Sequence, residues 1–131
     1  MVSFLHVSEG IMIIAIDFDG VIAEWTGKFK GHGVFGKLIP GAQEAITHLK
    51  NVGHTIIIYT CRIEIHQIRE FLVENKIPFD YINHCPFNVD YPLHPAKPYA
   101  DVYVDDSGLN FDGFWPDMVD KIQNFKKWWQ K

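Results

Sequence analysis

Aspartates are the most prominent residues of this sequence that could do chemistry. Asp17 and Asp19 are separated by one residue and followed by Gly20, and a second acidic pair, Asp105 and Asp106, lies toward the C-terminus. Carboxylate oxygens are the hard ligands that Mg²⁺ binds, usually together with waters and substrate phosphate. A carboxylate can also act as a nucleophile that splits phosphate-ester hydrolysis into two easier steps. The two acidic groups therefore favour phosphoryl transfer at a magnesium site.

Thr60 and Lys97 supply groups that complement these acids. Lys97 can neutralise charge on the equatorial oxygens of a transferring phosphoryl group, and Thr60 can donate a hydrogen bond to them. Gly20 and Arg62 are further candidates for contacts with the substrate, although Arg62 is equally compatible with a solvent-facing helix start. The candidate catalytic residues are Asp17, Asp19, Thr60 and Lys97, and the candidate substrate-binding residues are Thr60, Lys97, Gly20 and Arg62.

Each of these groups alone has an ordinary structural explanation. An aspartate after a strand often caps a helix or forms a turn. An EF-hand calcium loop would need further oxygen ligands at alternate positions after Asp19, and these positions hold Val21 and Ala23. Only the combination of the groups indicates a phosphoryl-transfer site.

The elements that must position these residues follow from the apolar pattern. Short apolar or β-branched runs predict strands, and apolar residues at helical spacing predict helices. The predicted strands are Ile11–Ile16, Thr55–Tyr59, Phe79–Ile82 and Asp101–Val104, and the predicted helices are Pro40–Lys50, Ile63–Asn75 and Asp117–Trp129. This alternation predicts a single Rossmann-like α/β domain of three layers with a mainly parallel sheet and right-handed crossovers.

Three candidate residues directly follow predicted strands. Asp17, Thr60 and Asp105 each lie just past a strand end. Ligands of open α/β sheets bind outside the carboxyl ends of the strands, so these three segments are expected to converge on one edge.

The ordered set of motifs resembles the haloacid dehalogenase superfamily of phosphatases. The resemblance extends from Ile13 to Asp106. The four matching motifs are Ile13–Ile22 with Asp17 and Asp19, Ile58–Thr60, Lys97, and Val102–Asp106.

The resemblance implies a role for each acid. Asp17 would be the nucleophile and a metal ligand. Asp19 would be the general acid and then the general base, and its backbone carbonyl would bind Mg²⁺. Asp105 would bind the metal, and Asp106 would do so through water or would steady Lys97. A general acid favours ester hydrolysis over dehalogenation, because an alkoxide leaving group needs a proton and a halide does not.

The chain departs from the family pattern in two places. The fourth motif often has a further acid where this chain has Leu109 and Asn110, and Asp112 lies slightly beyond. No stretch is long enough for a large cap, so residues 24–39 are expected to form only a flap. Such a capless site either admits large phosphorylated partners or is covered by a neighbouring subunit. A homo-oligomer is therefore one of the two alternatives.

Length and composition limit the remaining possibilities. The 131 residues fit one domain, 1–131, in which 1–11 could be an N-terminal extension. The net charge of −4 argues against an extended nucleic-acid-binding face. Two cysteines, Cys61 and Cys85, favour a reducing cytoplasm, and the apolar run near the N-terminus is too short to cross a membrane.

Two other groups of residues invite functional readings. The spacing of His84, Cys85 and His94 matches no standard zinc pattern, so ordinary loop residues are expected there. Trp128 and Trp129 are expected either to pack on the sheet or to contact a second subunit.

The sequence therefore predicts a Mg²⁺-dependent phosphomonoester hydrolase that acts on a phosphorylated small molecule or a phosphorylated macromolecule end. One alternative is a receiver-like signalling module, but a receiver has its acidic pair first and its phospho-acceptor in mid-chain, the reverse of the order here. A second alternative is a relative that binds phosphate without turnover.

Overall fold

The computed structural model describes residues 10–84, 86 and 97–131. Four parallel strands form one sheet in the order β3-β2-β1-β4. The strands are β1 Ile13–Asp17, β2 Thr55–Tyr59, β3 Tyr81–Ile82 and β4 Val102–Val104, and the helices are α1 Ala42–Val52, α2 Ile65–Glu74 and α3 Trp115–Gln123. A short 3₁₀ turn, Trp128–Gln130, follows α3 near the C-terminus.

The register of the sheet aligns the strand ends that matter for the site. Asp17, the last residue of β1, pairs with Tyr59 at the end of β2. Ile16 pairs with Val104, the last residue of β4. The carboxyl ends of three adjacent strands therefore meet at one edge, as the strand-end rule predicts.

The central strands are buried on both faces. Ala15 and Ile57 are fully buried on one face, and the opposite face contributes Ile14, Ile16, Ile56 and Ile58 to the main core. Ile46 of α1 and Ile68 of α2 belong to that same main core, together with Leu72 of α2. Burial on both faces explains why β1 and β2 are continuous apolar runs rather than alternating ones. The predicted α/β class with a Rossmann-like parallel sheet is confirmed.

Residues 24–39, called the flap below, lie between β1 and α1. The N–H of Glu24 donates to the carbonyl of Lys37 at 2.8 Å, and the N–H of Ile39 donates to the carbonyl of Ile22 at 2.8 Å. An isolated bridge joins Ala23 and Leu38 between these bonds. The flap is thus closed at its base, directly after the Asp17 segment.

The prediction of a helix over Asp117–Trp129 is wrong in its C-terminal half. Helix α3 begins at Trp115 and ends at Gln123, and Ile122 on the predicted inward stripe is 54% exposed. Trp129 lies in the separate 3₁₀ turn, where its indole N–H reaches a carboxylate of the candidate site. The helix was predicted to extend beyond Gln123 because Trp129 falls at helical spacing from Ile122 and Phe125. That spacing does not distinguish a residue of the helix from a tryptophan in a separate turn.

Two predictions fall largely outside the described residues. They concern the N-terminal extension, 1–11, and the loop His84–Pro98 with Cys85 and His94. In the part of the chain that the structure describes, no helix has the length and apolar character needed to cross a bilayer.

Candidate active site

Three aspartates converge at the carboxyl edge of the sheet. Asp17, Asp105 and Asp106 each present one carboxylate oxygen, and these oxygens lie within 4.8 Å of one another. Asp17 ends β1, and the acidic pair directly follows β4, so the pairing of these two strands creates the cluster. Three converging carboxylate oxygens are the type of donor set that a hard divalent cation such as Mg²⁺ binds.

The electrostatics of Asp17 fit a cation at this position. Burial of the side chain, followed by the negative charge of Asp105, raises the pKa of Asp17 to about 7. The N–H of Phe18 donates to Asp17 Oδ1 at 2.8 Å and opposes this rise only in part. A divalent cation among the three acids would offset their mutual repulsion and would favour the charged form of the buried Asp17.

Asp105 is held by neighbours on both sides. The hydroxyl of Tyr59 donates to Asp105 Oδ2 at 2.5 Å, and the N–H of Ser107 donates to Oδ1 at 2.7 Å. Burial and this hydrogen bond to Asp105 raise the pKa of Tyr59, so its hydroxyl remains a donor at neutral pH. Tyr59 thus orients Asp105.

Asp106 is the most buried of the three acids, at 8% exposure. The indole N–H of Trp129 donates to its Oδ2 at 2.7 Å, and the Ser107 hydroxyl donates to its Oδ1 at 3.2 Å. A Cβ on Gly20 would lie 2.2 Å from Oδ2, so residue 20 must be glycine for Asp106 to take this position.

Gly20, predicted to contact the substrate, has both of its backbone groups engaged within the protein. Its N–H donates to the carbonyl of Ala23 at 2.7 Å, and its carbonyl accepts the indole N–H of Trp128 at 2.7 Å. Its backbone φ of 81° lies in the left-handed region that favours glycine. Within this structure Gly20 makes room for Asp106 and closes the turn after β1.

Asp19 is not one of the three clustered aspartates, and its carboxylate is paired with Arg62. Arg62 Nε donates to Asp19 Oδ2 at 2.6 Å, and Nη2 donates to Oδ1 at 3.0 Å. Both carboxylate oxygens of Asp19 are therefore occupied by one guanidinium, in the two-pronged geometry typical of strong arginine–carboxylate pairs.

Arg62 is not a solvent-facing helix start. Its side chain is 7% exposed, and its guanidinium carbon lies 4.9–5.6 Å from the ring centroids of Phe35, Phe29 and Trp25 on the flap. The hydrogen bond to Asp19 outweighs burial and raises the pKa of Arg62. Arg62 therefore joins Asp19 to the aromatic residues of the flap.

Glu64 belongs to the same network as Asp19 and Arg62, and it was not among the residues predicted from the sequence. Its Oε2 accepts the N–H of Gly33 at 2.9 Å and lies 3.1 Å from His32 Nδ1 and 3.4 Å from Arg62 Nη1. Burial opposes its charge, but the hydrogen bonds led by Gly33 prevail and lower the pKa of Glu64. Its Oε1 has no hydrogen-bond partner among the described residues.

Thr60 and Lys97 line the same cleft as Asp105. The amide of Asn83 brackets the Thr60 backbone: Oδ1 accepts the Thr60 N–H at 2.8 Å, and Nδ2 donates to the Thr60 carbonyl at 3.0 Å. Lys97 Nζ lies 4.8 Å from the ring centroid of Tyr103, which also borders the cleft. The structure therefore brings Asp17, Thr60, Lys97, Asp105 and Asp106 to one edge.

Asn83 and Tyr59 were missed for different reasons. Asn83 directly follows β3, so the strand-end rule that selected Thr60 would also have selected it. Tyr59 is the last residue of a buried strand, where an aromatic side chain is ordinary and nothing in the sequence points to its hydroxyl.

Comparisons with known proteins support the fold. No protein-family model matches this chain, and no curated protein matches it. A solved structure, described as that of the conserved protein coded by a locus from Bacteroides thetaiotaomicron, is 25% identical, with a TM-score of 0.61. The match covers 92% of this chain and 97% of that chain, so the two proteins share their architecture over nearly their full lengths.

Proposed function

We propose that this protein is a Mg²⁺-dependent phosphomonoester hydrolase that acts through a phospho-aspartate on Asp17. The observation that carries this proposal is the convergence of Asp17, Asp105 and Asp106, whose oxygens lie within 4.8 Å of one another. Thr60 and Lys97, on the cleft beside Asp105, supply a donor and a cation for phosphate oxygens.

Asp17, Asp105 and Asp106 would hold the Mg²⁺. When bound, Mg²⁺ would reduce the repulsion between the Asp17 carboxylate and a phosphate dianion. Tyr59 and Ser107 orient Asp105 by hydrogen bonds, so this ligand does not need to rearrange during the reaction.

The reaction takes two steps. In the first, an Asp17 oxygen bonds to phosphorus, the bond from phosphorus to the leaving oxygen breaks, and Asp19 gives that oxygen a proton. In the second, Asp19 takes a proton from a water whose oxygen attacks phosphorus. The acyl phosphate bond breaks, inorganic phosphate leaves and the Asp17 carboxylate is regenerated.

Arg62 constrains the part that Asp19 plays. Because one guanidinium holds both Asp19 oxygens, Asp19 must leave at least one of these hydrogen bonds before it can exchange a proton with the substrate. Arg62 is therefore a positioning residue in this proposal. The same contact favours a second candidate function, a phosphate-binding protein without turnover, in which Asp19 stays paired.

Phosphate release from an aryl phosphate and from a panel of phosphorylated metabolites tests the proposal. We expect release that requires Mg²⁺ and is lost in Asp17→Asn, while Asp120→Asn on the exposed face of α3 retains the parent rate. The panel includes oligonucleotides with a 3′- or a 5′-phosphate. A folded protein that binds Mg²⁺ and inorganic phosphate but releases none from any compound would support the second candidate instead.

A further inference from the structure

Hydrogen bonds within the C-terminal turn Trp128–Gln130 and a lysine–indole contact hold its two tryptophans in place. The N–H of Lys127 donates to the side-chain oxygen of Gln130 at 2.9 Å, and the N–H of Gln130 donates to the carbonyl of Lys127 at 2.9 Å. Lys127 Nζ also lies 5.3 Å from the ring centroid of Trp129. These contacts close the turn and leave both indole N–H groups directed away from it.

Both indoles donate to the segments that carry the acidic cluster. Trp128 Nε1 donates to the carbonyl of Gly20, 108 positions earlier in the chain, at 2.7 Å. Trp129 Nε1 donates to Asp106 Oδ2 at 2.7 Å. The turn therefore ties the loop after β1 to the loop after β4, the two loops beside the proposed metal ligands.

Two glycines make room for the Trp129 ring. A Cβ on Gly27 would lie 3.3 Å from Trp129 Cη2, and a Cβ on Gly20 would lie 3.3 Å from Trp129 Nε1. Both glycines have positive φ, 87° and 81° respectively. The approach of Trp129 to Asp106 thus depends on backbone that other residues would adopt only under strain.

We propose that Trp129 is a positioning residue that orients Asp106 as a metal ligand. An indole N–H can only donate, so it holds Oδ2 of Asp106 as an acceptor and limits rotation of the carboxylate. Asp106 is 8% exposed, so little water is available to replace this bond. The inference rests on the proposed function in one respect: it takes Asp106 to be a Mg²⁺ ligand.

Calorimetric titration with Mg²⁺ alone tests this role without relying on activity. We expect Trp129→Phe to weaken Mg²⁺ binding about tenfold, the lower end of the range for lost outer hydrogen bonds to metal ligands. The matched control is Trp115→Phe on α3, where the parent tryptophan is 65% exposed. This control should bind Mg²⁺ as the parent does.

A double-mutant cycle separates positioning from general loosening of the fold. In an Asp106→Ala background, which has no side-chain oxygen to accept the indole N–H, Trp129→Phe should weaken Mg²⁺ binding no further. Unchanged Mg²⁺ affinity in Trp129→Phe, or an equal loss in both backgrounds, would overturn the inference.

A second measurement uses only the parent protein, so it does not depend on whether a variant folds. In ¹⁵N-labelled parent protein, Mg²⁺ should shift the indole N–H resonance of Trp129 and leave that of Trp115 in place. A resonance of Trp129 that does not respond to bound Mg²⁺ would overturn the inference.

The titrations also distinguish failure of this inference from failure of the proposed function. A parent that binds no Mg²⁺ overturns both. The expected pattern in the cycle, together with no phosphate release from any substrate, upholds Trp129 as a positioning residue and rejects only the hydrolase.

Discussion

The carboxylate of Asp17 is the residue-scale feature with the clearest energetic consequence. Its pKa is raised to about 7 by burial and by Asp105, whereas the unfolded chain releases this proton near pH 4. In metal-free protein between about pH 4 and pH 7, Asp17 is therefore protonated in the folded state and ionised in the unfolded state. The contribution of Asp17 to stability is complete below about pH 4, declines as the pH rises toward 7 and is lost above it.

We therefore expect Asp17→Asn to stabilise the metal-free protein at pH 8 but not at pH 4. The gain should be about 1–2 kcal/mol, less than the pKa shift alone would give, because the side chain is partly open to water. Urea unfolding in the presence of a chelator at the two pH values measures it. Asp120→Asn on the exposed face of α3 is the control, and an equal gain at both pH values would contradict the assignment of the shift to Asp17.

Simple sequence rules predicted the site residues that follow strands. Asp17, Thr60 and Asp105 could be found because the carboxyl ends of parallel strands meet at one edge, and the structure brings these residues there. The pairing of Asp19 with Arg62 could not be found this way. It depends on how the flap folds back over the start of α2, and flap conformation leaves no periodic signal in a sequence.

At the scale of elements, the flap is attached to the rest of the domain through buried charges. Arg62 links Asp19 to Glu64, and Glu64 in turn accepts the N–H of Gly33 near the tip of the flap. Removal of one member of a buried charged network leaves its partners without compensation. The flap and the Asp19 carboxylate are therefore coupled energetically.

We expect Arg62→Ala to lower the free energy of unfolding by about 3–5 kcal/mol, because both Asp19 and Glu64 lose their guanidinium. Urea unfolding measures the loss. Arg69→Ala is the control, since Arg69 is exposed and its contact with the Phe79 ring should contribute less than about 1 kcal/mol. Equal losses in the two variants would show that the network does not hold the flap.

The elements differ in how far the sequence specified them. Strand β2, Thr55–Tyr59, has the predicted bounds. Its run of β-branched residues is preceded by the glycine that ends α1 and followed by a polar residue, and these flanking residues define both ends of the strand. Strand β3 is only Tyr81–Ile82. The C-terminal helix ended six residues early, since Trp129 is placed by one hydrogen bond to Asp106, and such a long-range bond is invisible in local spacing.

At the scale of the whole molecule, the fold class followed from the alternation of strands and helices, and the structure confirms it. Within residues 10–84 and 97–131 the flap is the largest part of the segment that joins β1 to α1.

Mg²⁺ should stabilise the folded protein as a whole. A ligand that binds only the folded state adds about 2.7 kcal/mol when its concentration is about 100 times its dissociation constant. We expect Mg²⁺ to raise the unfolding temperature of the parent and of Asp120→Asn, but to raise that of Asp105→Asn little. Thermal unfolding at several Mg²⁺ concentrations measures this effect, and an equal rise in Asp105→Asn would place the ion elsewhere.

The central claim, a phosphoryl group on Asp17, is tested most directly in the Asp19→Asn variant with an aryl phosphate and Mg²⁺. A phenolate leaves without a proton from Asp19, whereas attack by water on the phospho-aspartate lacks its base, so the intermediate should accumulate. Acid quenching, borohydride reduction of the acyl phosphate and peptide mapping then locate it. We predict homoserine at position 17 and a burst of one phenolate per protein. Phenolate release without homoserine at position 17, or no burst at all, would contradict the account.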